Sequence, residues 1–130
     1  MIIAAYEGHM EVVKLLIHAN ADVNAQEKNS ATGLMLAAQN GHNEVVRLLI
    51  QAKADVNAQM NESWTALMAA AKHDRIEVVK LLILLNVNIN AQDNEGKTAL
   101  TYAEEYDNTN VVEILKQAGA LLRIILVLFF

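Results

Sequence analysis

The sequence predicts an all-α solenoid of about four units, each made of a turn, a short helix, a tight turn, a longer helix and an extended loop. The 130-residue chain repeats itself every 33 residues, and residues 1–26 match residues 34–59 at 17 of 26 positions. The residues that keep this register are Leu15, Leu48, Leu81 and Ile114; Leu16, Leu49, Leu82 and Leu115; and Asn24, Asn57 and Asn90. A fixed period of this length is typical of solenoids, in which each unit packs only on its neighbours.

The third unit, residues 60–92, predicts each element most clearly. Its polar start, residues 60–63, indicates a turn, and Thr65 is a suitable N-cap for a first helix over 66–72. A second helix follows over 76–83, in which Val78, Leu81 and Leu82 share one face. Helices this short are unstable alone, so we expect stacking between units to bury that face.

Two sets of equivalent positions predict a left-handed backbone where the helices end. The set after the first helix is Gly8, Gly41, Asp74 and Asp107, and the set after the second is Asn20, Lys53, Asn86 and Gly119. Glycine adopts this conformation freely, whereas aspartate is expected to cost about 1 kcal/mol there. Glycine or Asn directly after a helix also terminates it, so the last helix of the repeats is expected to end near Gly119.

These residues resemble the ankyrin repeat. Residues 65–68, Thr-Ala-Leu-Met, stand where that family has Thr-Pro-Leu-His, and residues 41–49 and 54–58 are close to its second helix and loop. The family's proline becomes Gly33, Ala66 and Ala99, and its histidine becomes Met35, Met68 and Thr101. The likeness divides residues 1–120 into a partial unit 1–26 and the units 27–59, 60–92 and 93–120, and leaves an apolar tail at 121–130.

The resemblance implies a non-catalytic module that binds a protein partner through the concave face formed by the turn tips and the first helices. The turn-tip positions are Lys28, Asn29, Ala31, Asn61, Glu62, Trp64, Asn94, Glu95 and Lys97, and the first-helix positions are Tyr6, Glu7, Gln39, Asn40, Lys72, His73, Glu105 and Tyr106. Trp64 is the only tryptophan and is expected to be exposed at its turn tip. It is either a binding anchor, a common role of Trp at interfaces, or a packing residue lying over a neighbouring turn.

The composition argues against the other function classes. Fifteen acidic residues against 10 basic ones give a net charge of −5, which does not favour nucleic-acid binding. Ser30 and Ser63 fall at turns and the four histidines do not converge, so we expect no enzyme, no metal and no cofactor. The absence of cysteine is consistent with a reducing compartment, and we expect the protein to be cytoplasmic.

The start of the sequence lacks the expected polar cap. Met1 aligns with Leu34, so the first unit begins inside its first helix and leaves Ile2 and Ile3 at an apolar edge. We interpret this as a fragment or a truncated array. An alternative function follows: an engineered or truncated repeat protein with no dedicated partner that self-associates through its uncapped ends and apolar tail.

The tail, residues 121–130, contains one charge in ten residues. It is too short to span a bilayer, and its β-branched and aromatic content favours a strand. Three interpretations stay open: it folds back as a cap on the last unit, it mediates self-association as a possible homodimer, or it anchors the chain peripherally to a membrane. The candidate self-association residues are Ile124, Ile125, Leu126, Val127, Leu128, Phe129 and Phe130.

Overall fold

The computed structural model describes residues 1–130 and confirms an all-α solenoid of helical pairs. The helices are α1 Ile2–Glu7, α2 Met10–His18, α3 Gly33–Asn40, α4 Asn43–Gln51, α5 Ala66–Lys72, α6 Ile76–Leu84, α7 Ala99–Glu105 and α8 Thr109–Phe129. The odd-numbered helices pack side by side in one layer, and the even-numbered helices pack in a second layer. A two-stranded antiparallel hairpin, β1 Gln59–Met60 and β2 Trp64–Thr65, forms the turn tip of the third unit.

One continuous hydrophobic core runs through the stack. The first helices contribute mainly alanine, and Ala37, Ala70 and Ala103 are each fully buried. Such small side chains allow adjacent helices to approach closely. In the second layer Val78 and Leu82 are fully buried, whereas the predicted core residue Leu81 is only half-buried. The equivalent Leu15 is 68% exposed because no unit packs on the other side of the first one.

Threonine caps start the first helices, as the sequence predicts for Thr65. The Oγ1 atom of Thr65 accepts a hydrogen bond from the backbone N–H of Met68, and Thr32 caps α3 in the same way. In the fourth unit Thr98 and Thr101 form a reciprocal capping box, in which Thr101 Oγ1 also accepts from the Thr98 N–H. Thr101 stands where the preceding units have Met35 and Met68, and its side chain helps to fix the turn.

Left-handed residues end the helices at the predicted positions. The φ angles are 74° at Gly8, 71° at Gly41, 57° at Asp74 and 56° at Asp107. Asn20, Lys53 and Asn86 adopt φ values of 60–70° after the second helices. Lysine therefore takes a conformation that Gly and Asn adopt more readily.

Side chains at one repeated position join each unit to the preceding one. His42 Nε2 lies 2.9 Å from the carbonyl oxygen of Tyr6, and Arg75 Nε donates to that of Gln39 over 2.9 Å. Asn108 Nδ2 donates to the carbonyl oxygens of Ala71 and Lys72 over 2.7 and 3.1 Å. These acceptors lie in the last turn of a first helix, where carbonyl groups have no partner within the helix. Three different side chains therefore serve one structural role.

The loop asparagines form a second set of hydrogen bonds between units. Asn24 Oδ1 accepts from the Asp55 N–H over 2.7 Å, and Asn57 Oδ1 accepts from the Asn88 N–H over 2.9 Å. The recurrence of asparagine every 33 residues is thereby explained by the register of successive loops.

The C-terminal prediction is wrong in two respects, since α8 neither stops at Gly119 nor gives way to a strand. The residues after Gly119 lack the polar loop sequence of the other units and continue with leucine, a good helix former. Extending an existing helix adds a hydrogen bond per residue without a new nucleation step, and the chain offers no strand partner there. Gly119 is tolerated inside α8 at a cost of about 1 kcal/mol.

Two glycine substitutions separate backbone strain from contact between units. A Cβ at Gly41 would lie 2.9 Å from Cδ of Arg75, whereas a Cβ at Gly96, where φ is 77°, would meet nothing within 4 Å. We expect Gly96→Ala to cost about 1 kcal/mol for its positive φ. Gly41→Ala should cost about 1 kcal/mol more, because it also displaces the Arg75 hydrogen bond.

Urea unfolding followed by circular dichroism measures both changes. In an Arg75→Ala background the difference between the two glycine variants should become small. If Gly41→Ala and Gly96→Ala lower the free energy of unfolding of the unmodified chain equally, the close contact between Gly41 and Arg75 does not contribute to stability.

Candidate functional site

The structure brings the central residues of the predicted concave face together around one groove. The groove has a volume of about 370 Å³ and lies between the ends of the first helices and the turn tip of the third unit. Its lining residues are Gln39, Met60, Asn61, Glu62, Trp64, Lys72 and His73. Six of these seven were predicted from the sequence, and Met60 was not.

Trp64 is half-buried, so the expectation of an exposed side chain is wrong. Its ring packs edge-on against Tyr102 of the next unit, with ring centroids 4.7 Å apart and planes at 77°. Edge-to-face aromatic pairs contribute about 0.5–1.5 kcal/mol beyond burial. Trp64 therefore packs on a neighbouring unit and lines the groove at the same time. Ala31, another predicted turn-tip residue, is fully buried and is not available to a partner.

Lys72 places a positive charge between two aromatic rings. Its Nζ lies 5.7 Å from the ring centroid of Trp64 and 5.4 Å from that of Tyr106. These distances fit cation–π attraction, which favours this orientation of the side chain. None of the ion pairs in the chain includes Lys72, so its charge has no acidic partner.

His73 lies beside Lys72 at the end of α5. Partial burial, followed by the charges of Lys72 and Arg75, lowers the pKa of His73 below its ordinary value. The imidazole is therefore neutral at pH 7, and it offers the groove one hydrogen-bond donor and one acceptor.

The predicted residues of the fourth unit form a separate charged cluster. Lys97 Nζ pairs with Glu95 at 3.4 Å and with Glu105 at 3.1 Å, and it also lies 5.4 Å from the ring centroid of Tyr102. The hydrogen bond to Glu105 raises the pKa of Lys97. Because this lysine is neutralised within its own unit, the cluster differs from the unpaired cation at Lys72.

Asp93 organises the fourth turn and was missed from the sequence. Its carboxylate accepts hydrogen bonds from the Tyr102 hydroxyl and from the backbone N–H groups of Glu95 and Lys97. Desolvation opposes ionisation, but these hydrogen bonds outweigh it and lower the pKa of Asp93. Burial and the bond to Asp93 raise the pKa of Tyr102. Equivalent positions carry Glu27 and Met60, so the repeat itself gave no signal for this role.

The remaining predicted residues lie along the same row but mostly serve the turns. Asn29 Oδ1 accepts from the Ala31 N–H, and Asn94 Oδ1 accepts from the Ser63 hydroxyl. Asn40 Nδ2 donates to the Tyr6 carbonyl oxygen over 2.9 Å. Lys28 is exposed at the second turn tip, and the Tyr6 ring is exposed in the first unit, beyond the central groove.

The candidate self-association residues are all exposed on the last part of α8. The interpretation of the tail as a folded-back cap is wrong, because the tail continues α8 without turning back and residues 123–130 are exposed. Self-association stays a prediction. No helix in the chain combines the length and hydrophobicity needed to cross a membrane.

A two-layer stack of repeated helical pairs is the architecture of a helical repeat protein. A family model described as "Ankyrin repeats (3 copies)" matches residues 1–93 and, in a second overlapping match, residues 62–124. The chain therefore belongs to the ankyrin-repeat family, whose members are generally protein–protein interaction modules and typically non-catalytic. No curated protein matches the sequence significantly.

Asp93→Asn tests the organisation of the fourth turn. The pKa of Asp93 is lower in the folded than in the unfolded chain, so its stabilisation is present above about pH 4 and is lost as the pH falls through the folded pKa. We expect the substitution to lower the free energy of unfolding by about 1 kcal/mol at pH 7, and by much less near pH 2. Urea titrations at both pH values measure the difference.

Tyr102→Phe is the control, since it removes one donor and keeps the carboxylate and its two backbone partners. The free energy of unfolding of Tyr102→Phe should retain part of its dependence on pH. If Asp93→Asn lowers the free energy of unfolding equally at both pH values, the charge of Asp93 has no role in stability.

Proposed function

We propose that this chain is a non-catalytic module that binds a protein partner through the concave groove centred on Trp64, Lys72 and His73. The observation that carries the proposal is the Lys72 ammonium, which is oriented by two aromatic rings and lacks an acidic partner. A cytoplasmic location belongs to the same proposal.

The groove is already arranged before a partner arrives. Trp64 is fixed by its contact with Tyr102, and the Lys72 ammonium is attracted to the rings on either side of it. Side chains that are ordered in the free protein lose little further entropy on association, which favours binding. Trp and Tyr are also the residues that most often dominate the energy of protein interfaces.

The polar groups of the groove favour a protein ligand of mixed character. Asn61 and Glu62 are exposed at the turn tip, and Gln39 and neutral His73 supply further hydrogen-bonding groups. A carboxylate of the partner would pair with Lys72, while an apolar side chain beside it would contact Trp64. An acidic residue next to an apolar one is therefore the segment of a partner that the groove fits best.

Lys72→Glu tests this surface, and Lys80→Glu is its matched control. Lys80 lies on α6 in the second layer, 54% exposed and 3.8 Å from Glu77, outside the groove. Lys72→Glu should lower the affinity for partners captured by the unmodified chain at least about tenfold, because a buried or partly buried charge pair is replaced by repulsion. Lys80→Glu should leave their affinity unchanged. Binding titrations of each captured partner give the affinities, and circular dichroism melting verifies the fold of both variants.

Trp64→Ala is a poorer probe, since it also removes the contact with Tyr102 and is expected to lower stability by about 1–2 kcal/mol. Trp64→Phe keeps most of that contact and is the better companion to Lys72→Glu. If partners bind the Lys72→Glu variant normally but no longer bind the Lys80→Glu variant, the interface lies on the second helical layer and the proposal is overturned.

A further inference from the structure

The outer side of the fourth unit is polar where the inner units are apolar. At three positions the inner units place alanine, methionine and isoleucine in or against the hydrophobic core, and the fourth unit carries polar residues there. The corresponding sets are Ala38, Ala71 and Glu104; Met35, Met68 and Thr101; and Ile50, Ile83 and Lys116. Glu104 and Lys116 are exposed, whereas both alanines and both methionines are buried. Repeat arrays need such a polar terminal face for solubility. The stack is therefore closed without the tail.

The tail beyond this closed face is a helix with apolar side chains on every side. Residues 124–130 are seven consecutive exposed positions, with exposures from 45% at Ile125 to 97% at Phe130. Seven residues make nearly two turns of helix and so cover its whole circumference. A second helix packed in pairs covers only one stripe and leaves the other sides in water. Lipid acyl chains, by contrast, cover every side.

The charges next to the tail fit the surface of a bilayer. Arg123 is the only charged residue after Lys116, and the two are seven residues apart, so both lie on the same side of α8. Their long side chains reach back toward phosphate groups while the apolar end is buried.

We propose that residues 121–130 of α8 insert into the hydrocarbon layer of a phospholipid bilayer and hold the solenoid at the membrane surface. The attraction comes from apolar burial, because the chain carries a net charge of −5 and is not drawn to anionic lipid. Zwitterionic phosphatidylcholine vesicles therefore suffice as the binding surface.

A single cysteine gives a direct measurement, since the chain has none of its own. Val127→Cys, at a position 82% exposed, carries an environment-sensitive fluorophore on the full chain. Phosphatidylcholine vesicles should shift its emission to shorter wavelength, and brominated acyl chains should quench it. The same label at Asn29→Cys, on a turn tip of the second unit, should not respond.

Val127→Glu and Leu15→Glu form a matched pair for vesicle flotation. Both replace an exposed aliphatic residue, but Leu15 lies on α2 in the first unit. We expect Val127→Glu to lower the bound fraction at limiting lipid at least about tenfold, because a charge in hydrocarbon is strongly unfavourable, and Leu15→Glu to leave it unchanged.

Two outcomes would overturn the inference. A label already shielded without vesicles, together with a multiple of the monomer mass by light scattering, would show that a second copy covers the tail. A monomer whose label does not respond to vesicles would show that the tail stays in water. Neither result bears on the groove at Lys72, which is tested independently.

Discussion

The packing of each first helix on the next is the constraint on which the rest of the structure depends. Alanines along these helices let the backbones approach closely, and the approach brings the donor at residues 42, 75 and 108 within reach of carbonyl groups in the preceding unit. Where the donor is His42 or Arg75, the approach favours glycine at positions 8 and 41, since a Cβ at either site would lie within 3 Å of that donor side chain. The unit that packs on Asn108 carries Asp74 at this position instead. Helix termination, close packing and hydrogen bonding between units therefore depend on one another.

The groove is a consequence of this stacking. Because the first helices end in register, their last residues form a row beside the turn tips, and Gln39, Lys72 and Trp64 face the same open space. The aromatic contact between Trp64 and Tyr102 crosses from one unit to the next. The shape of the groove therefore depends on the spacing of units, and a change in that spacing would alter it.

The parts of the structure that repeat were accessible from the sequence, and the parts that occur once were less so. Thr65, Asp74 and Asn86 adopt the cap and left-handed conformations expected of them, because their roles recur every 33 residues. The half-buried state of Trp64 depends on Tyr102, a residue 38 positions later that has no aromatic equivalent in the other complete units. The capping box at Thr98 and the Asp93 network are likewise particular to the fourth unit.

The two ends of the stack differ in polarity. Val12 and Leu15 present aliphatic surface on the first unit, whereas Glu104 and Lys116 present charge on the last. A further helical pair would bury apolar surface at the first end and would leave charged groups without water at the other. Lengthening of this array is thus favoured on one side only, and two copies placed in tandem would not join into a longer rod.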